Sequence, residues 1–138
     1  MSNELRVVAG IIVREGRVLL TQRTPGRDHS LRWECPGGKI EAGESPREAL
    51  ARELAEEIGW EWGEIAPWPF YETSFAAGEA GRLPISLAFF RVTPPVGWRP
   101  SLADVEGAGW FSLAEMQSLP LVPGNVRLFE RLLQSGLG

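Results

Sequence analysis

The chain has 138 residues, 43% of them hydrophobic and 23% charged, with a formal net charge of −4 from 14 basic and 18 acidic residues. That size and mix suit one globular domain, taken here as 1–138, able to bury a core without disulfide staples. Its single cysteine, Cys35, excludes an internal disulfide. No apolar run is long enough to span a membrane, and the first residues do not read as a secretory signal, so the expectation is a cytoplasmic protein.

No basic run offers a groove for a nucleic-acid polymer. The acidic excess is concentrated between Glu41 and Glu64. An anionic substrate approaching those carboxylates needs a positive mediator, and a divalent metal is the natural one.

Along the chain, Leu5 to Val13 is rich in valine and isoleucine and predicts a buried strand. Glu15-Gly16 marks a turn, and Arg17 to Arg23 a second strand. Thr24 to Ser30 is a polar loop punctuated by Pro25 and Gly26. Trp33 to Ile40 is short and broken by Pro36, Gly37 and Gly38. A helix is then expected from Pro46 to about Ile58, with Ser45 as N-cap, Glu48 as capping-box partner and Gly59 as the stop. Strands follow near Trp68 to Phe75, Ile85 to Thr93 and Val105 to Phe111. Ser112 and Glu115 predict a second capping box on a short helix, and Val126 to Leu133 has the spacing of a final amphipathic helix. The order predicts an α/β fold in which helices cover a mixed sheet.

The helix at Pro46 concentrates the chemistry. At about 100° per residue, Leu50, Leu54 and Ile58 form an apolar stripe roughly 80° wide. Glu53, Glu56 and Glu57 fall on a neighbouring arc of roughly 100°, bordering the core rather than facing away from it. Three carboxylates so placed repel one another and lose hydration, which a hard cation such as magnesium or manganese offsets. Helix geometry alone also admits a solvated acidic face.

The preceding loop weighs against that second reading. Gly37, Gly38 and Gly43 allow close approach of the backbone to a ligand. From Gly38 to Trp60 the chain resembles the Nudix box at each position: Gly38, Glu44, Arg52, Glu53, Leu54, Glu56, Glu57, Gly59 and Trp60. Upstream, Trp33-Glu34-Cys35-Pro36-Gly37-Gly38-Lys39 is similar to the MutT-like branch of that family.

This resemblance implies an α/β/α Nudix fold with a loop–helix–loop catalytic motif, and a Mg2+-dependent hydrolase of nucleoside diphosphates linked to another group, with Mn2+ able to substitute. It implies metal binding by Glu53, Glu56, Glu57 and the carbonyl of Gly38. Glu44 corresponds to the residue that orients or assists the base, and Arg52 to the arginine that holds a box carboxylate. Lys39 and Arg23 correspond to substrate-side positions. An acid outside the box, Asp104 or alternatively Glu106, corresponds to a further catalytic carboxylate.

Asn125 matches the asparagine that reads a nucleobase in MutT-like enzymes; it also reads as a cap for the last helix. The implied reaction is hydrolysis of a nucleoside triphosphate, of the 8-oxo-dGTP or CTP kind, to the monophosphate and pyrophosphate. Other expectations are a nucleoside-diphosphate conjugate such as NADH or ADP-ribose, for which Pro67-Trp68-Pro69-Phe70 is a partial echo, and a nucleotide sensor without catalysis. The oligomeric expectation is a monomer or homodimer. His29 and Cys35 carry no expected role in the chemistry.

Overall fold

Alternation along the first strand, β1 (Leu5–Arg14), decides the layering. Val8 and Ile12 pack on one face with Leu50, Leu54 and Ile58 of helix α1 (Pro46–Ile58). Ala9 and Ile11 pack on the other with Leu128 and Leu132 of helix α3 (Pro123–Ser135). Successive side chains of a strand point to opposite faces, so a strand apolar on both needs a helix on each side. The result is the expected α/β/α arrangement. A computed structural model describes residues 4–26, 29–61, 63–79, 83–101 and 107–137.

The remaining strands are β2 (Arg17–Gln22), β3 (Trp33–Glu34), β4 (Gly37–Lys39), β5 (Glu64–Ile65), β6 (Tyr71–Phe75), β7 (Ile85–Thr93) and β8 (Gly107–Phe111). Helix α2 (Leu113–Met116) follows β8 directly. β1 and β7 pair in parallel from Leu5↔Ile85 to Ile12↔Val92, while the other pairings between the named strands are antiparallel, so the sheet is mixed.

β2 leaves β1 almost at once, pairing only at Val13↔Val18 and Arg14↔Arg17 beside a turn with Glu15 (φ 51°) and Gly16 (φ 74°) in the left-handed region. The edge of β1 that β2 vacates is taken by β4, through Val7↔Lys39, Val8↔Gly38 and Ala9↔Gly37. This insertion brings the glycine loop beneath α1.

Helix α1 has the predicted limits for local reasons. Ser45 and Glu48 form the reciprocal capping box, Pro46 opens the first turn, and Gly59 (φ 67°) closes the last in a conformation glycine adopts without strain. The other limits shift. The expected strand from Trp68 begins only at Tyr71, because Pro67 and Pro69 lack the N–H a ladder needs, and Trp68 is left 79% exposed. β5 was not anticipated; it is two residues long. The last helix begins at Pro123, not Val126, with proline in the first turn and Val122 as an N-cap that makes no side-chain bond. Asn125 therefore lies inside the helix, and its reading as a cap is corrected. Val105 lies outside the described residues, and β8 is described from Gly107.

Leu54 is fully buried at the crossing of α1 and β1, with its methyls facing Gly10. Leu54→Ala is expected to lower the unfolding free energy by about 2–5 kcal/mol through lost burial and a cavity. Leu133→Ala, at a position 56% exposed, is expected to change it by less than about 0.5 kcal/mol. Urea unfolding of the two variants beside the parent checks the contrast.

Candidate active site

The site starts from two hydrogens where other residues carry a Cβ. A Cβ on Gly37 would run into the Val8 carbonyl, and one on Gly38 would stand 2.5 Å from each carboxylate oxygen of Glu53. Glycine at these positions lets β4 lie against β1 while the Glu53 carboxylate rests on the Gly38 backbone. One turn further along α1, Glu57 Oε2 accepts a hydrogen bond from the Gly37 N–H at 3.1 Å. The two carboxylates expected at the rim of the core thus meet the glycine loop directly. Glu56, on the outer part of the same arc, has a side chain 58% exposed.

Arg52 organises the next layer. Its Nε and Nη2 donate to the two oxygens of Glu44 at 2.7 and 2.9 Å, a bidentate pair. Nη1 donates to Glu53 Oε1 at 2.9 Å, and Nη2 also reaches the Lys39 carbonyl at 3.0 Å. Glu56 and Glu41 are more distant ion-pair partners at 3.6 and 3.9 Å. One guanidinium therefore joins the loop before α1 to the helix itself and offsets part of the carboxylate repulsion.

The Arg52 hydrogen bond, followed by the Glu41 N–H, brings the Glu44 carboxyl down to about 2. The Glu44 bond in turn raises the Arg52 guanidinium above its ordinary value. A carboxylate held so firmly in its ionised form is a poor proton acceptor near neutrality. Among the described residues, no three carboxylate, imidazole or thiol groups are gathered closely enough to hold a metal ion as they stand. Glu53 and Glu56 of the predicted arc both face Arg52, while Glu57 is held by the Gly37 N–H.

A second group of expected residues lies where β3 meets α3. Asn125 is 3% exposed, and its Oδ1 accepts from the Cys35 N–H at 2.8 Å. Arg23 forms an ion pair with Glu34 at 3.0 Å, both side chains about one quarter exposed. Sequence reasoning missed Glu34 as the partner of Arg23. The adjacent Gln22↔Trp33 pairing places them together, but only once the β2–β3 register is known. Burial raises the Cys35 thiol far above its ordinary value, so it is not a nucleophile. Lys39 is exposed at the end of β4. Asp104 and Glu106 lie outside the described residues.

This architecture has relatives. The family model of the NUDIX domain matches residues 4–132. The chain belongs to the NUDIX domain family.

Within that family it is similar to a Mycobacterium tuberculosis protein provisionally named 8-oxo-dGTP diphosphatase 2, at 38% identity over 125 residues, covering 91% of this chain and 84% of the relative. It is similar also to the CTP pyrophosphohydrolase of Escherichia coli (strain K12), at 36% identity over 129 residues, covering 94% and 91%. Among solved structures, a MutT NUDIX hydrolase from Burkholderia pseudomallei superposes with a TM-score of 0.74 at 25% identity, covering 94% of this chain and 98% of that one. The Nudix chain described here falls in the MutT-like branch. It is a nucleotide pyrophosphohydrolase, a hydrolase acting on phosphoric anhydrides. None of its described helices is long and apolar enough to cross a membrane.

The depressed Glu44 pKa has a consequence for acid stability. A group whose folded pKa lies below its unfolded value stabilises the fold above the unfolded pKa, and that contribution disappears as pH falls through the folded one. For Glu44 the window runs from about pH 4.5 down to about pH 2. Glu44→Gln is expected to flatten the loss of stability in that window, as read from urea unfolding at stepped pH. An unchanged acid limb would show that the Arg52–Glu44 pair does not persist in solution.

Proposed function

We propose that this Nudix enzyme hydrolyses a nucleoside triphosphate to the monophosphate and pyrophosphate, using a divalent cation of the magnesium type held by Glu53, Glu56, Glu57 and the Gly38 carbonyl. The observation that carries the proposal is the junction at Gly38, where the Glu53 carboxylate lies against a backbone that any Cβ would push away. The donors there are carboxylates and a main-chain carbonyl, with no imidazole beside them, which suits magnesium or manganese better than zinc. When bound, such a cation supplies charge neutralisation for the phosphates and lowers the pKa of water.

The chain's own residues then have distinct tasks. Arg52 occupies Oε1 of Glu53 and fixes the rotation of that carboxylate. Glu44 holds Arg52 by two bonds and is committed to positioning. Proton acceptance from water then falls to Glu53 or to the acid outside the box, Asp104 or Glu106. Lys39 supplies a positive charge for the polyphosphate at the mouth of the same loop.

At the other end of the segment, Asn125 reads the base with its amide N–H, because its oxygen is already turned to Cys35. Arg23, just past the end of β2 and steadied by Glu34, adds further donors. The relatives named for 8-oxo-dGTP and CTP support a triphosphate of oxidised guanine or cytosine as the substrate.

Glu53→Gln and Glu57→Gln are each expected to lower turnover by about a hundredfold or more while melting temperature stays near that of the parent, because oriented charge is lost and packing is not. Excess chelator is expected to abolish turnover, and magnesium to restore it. Near-normal turnover in both variants, or full activity in chelator, would refute the metal assignment.

For Asn125 the informative quantity is a ratio. Asn125→Asp keeps an oxygen to accept from Cys35 but removes the amide donor. The preference between 8-oxo-dGTP and CTP in kcat/KM is expected to shift by about 1–3 kcal/mol. If both substrates lose activity in equal measure, Asn125 only clamps the Cys35 segment.

A further inference from the structure

The end of the sheet remote from Gly38 carries an open pocket of about 640 Å³, within the size range of small-molecule sites. Val8 pairs with Gly38, and Arg14 lies six residues further along β1, so about 20 Å of strand separates the two regions at about 3.3 Å per residue. The described lining includes Arg14, Arg17, Arg99, Trp98, Trp110 and Glu15. Among the described lining residues, three arginines stand against one glutamate.

These groups are held in place. Arg14 donates to the Trp98 carbonyl at 2.7 Å, and its guanidinium lies over the Trp110 ring, 5.2 Å from the centroid. The Trp98 indole N–H donates to the Gly59 carbonyl at 3.1 Å, which ties the wall of the pocket to the C-terminal end of α1. β1, β8 and the loop after β7 thus fix one cation and two indoles in register. Arg17 has only a long contact, 3.7 Å, with Glu115, and its side chain is 57% exposed. Among the described residues, Arg14 and Arg99 form no ion pair. Arg17 and Arg99 stand exposed on the same wall as the half-buried Trp98 and Trp110, and none of these residues is among those assigned to the chemistry at Gly38.

We propose that this pocket is a second, non-catalytic site for a mononucleotide, with the base against the Trp98 and Trp110 side and the phosphate on Arg17 and Arg99. Indoles offer a stacking surface to any base, and guanidinium forks match phosphate oxygens. A concavity whose described lining is interrupted by Glu15 suits one nucleotide better than a continuous polynucleotide backbone, which needs an unbroken basic track. The site differs from the catalytic one in needing no metal.

The test uses the whole chain in excess chelator, with GMP, inorganic phosphate and an oligothymidylate as probes, followed by the indole N–H resonances of Trp98 and Trp110. GMP is expected to shift both resonances, in the parent and equally in Glu53→Gln. Arg17→Glu and Arg99→Glu, both at exposed positions, are each expected to weaken GMP binding by about tenfold or more with the circular dichroism spectrum unchanged. Inorganic phosphate is expected to bind more weakly than GMP, and oligothymidylate no more tightly. Silent indoles, or GMP affinity unchanged in both arginine variants, would overturn the proposal. Phosphate binding as tightly as GMP would remove the role of the base, and tighter binding of oligothymidylate would replace the mononucleotide with a polyanion.

Discussion

The placement of the Gly37–Gly38 backbone against β1 is the constraint from which the rest of the site follows. β1 has a free edge there only because β2 separates from it after Val13. β4 enters that gap so closely that a methyl group on Gly37 would meet the Val8 carbonyl. Entry is secured on both sides of the glycines, by Gly10 N–H to the Pro36 carbonyl at 2.8 Å and by Ile40 N–H to the Arg6 carbonyl at 2.8 Å. With the loop seated, the Gly37 N–H faces Glu57 and the Gly38 backbone faces Glu53. The carboxylates of α1 are therefore positioned by main-chain contacts, which deform less readily than contacts between flexible side chains.

Arg52 extends that order to the loop between β4 and α1. Solvated ion pairs contribute little to stability, since screening and side-chain entropy offset the attraction. The value of this one lies in geometry. A guanidinium is a rigid fork, and bonds to both oxygens of Glu44, to Glu53 and to the Lys39 carbonyl leave it little freedom to rotate. Lysine in its place would offer a single rotatable ammonium and could not hold the three partners in one plane. The same clamp suits Glu44 to orienting, the role its place in the box implies, and not to accepting a proton itself: what holds Arg52 also stabilises the ionised carboxylate.

The parts of this molecule that the sequence made legible are those encoded by near neighbours. Helix α1 announces itself through Ser45, Pro46, Glu48 and Gly59, all of which act within one or two turns, and its limits are as expected. The shared arc of Glu53, Glu56 and Glu57 on α1 is likewise a matter of helical periodicity. Features set by distant contacts were not legible. The Asn125–Cys35 bond spans 90 positions, and nothing in the spacing of Pro123, Gly124 and Asn125 distinguishes a cap from a tether. The Arg23–Glu34 pair depends on strand register. The start of α3 was placed late because apolar periodicity begins at Val126, whereas the helix itself begins with a proline that fits the first turn and contributes no stripe.

That division bears on substrate choice. The segment 33–39 joins two regions of different character. Its glycine end meets α1 and the box carboxylates, while its Trp33–Cys35 end meets α3 and the segment before it, through Asn125 Oδ1 and through Trp33 N–H to the Pro120 carbonyl at 2.8 Å. In the proposed reaction the first region handles phosphates and the second handles the base. The first carries the residues of the box. The second is assembled from α3, β2 and β3 by contacts between residues far apart in the chain. A box matched at every position is thus compatible with relatives named for different bases. On that proposal, discrimination between those bases is to be sought around Asn125 and Arg23, where a single donor or acceptor changes which base edge can be satisfied.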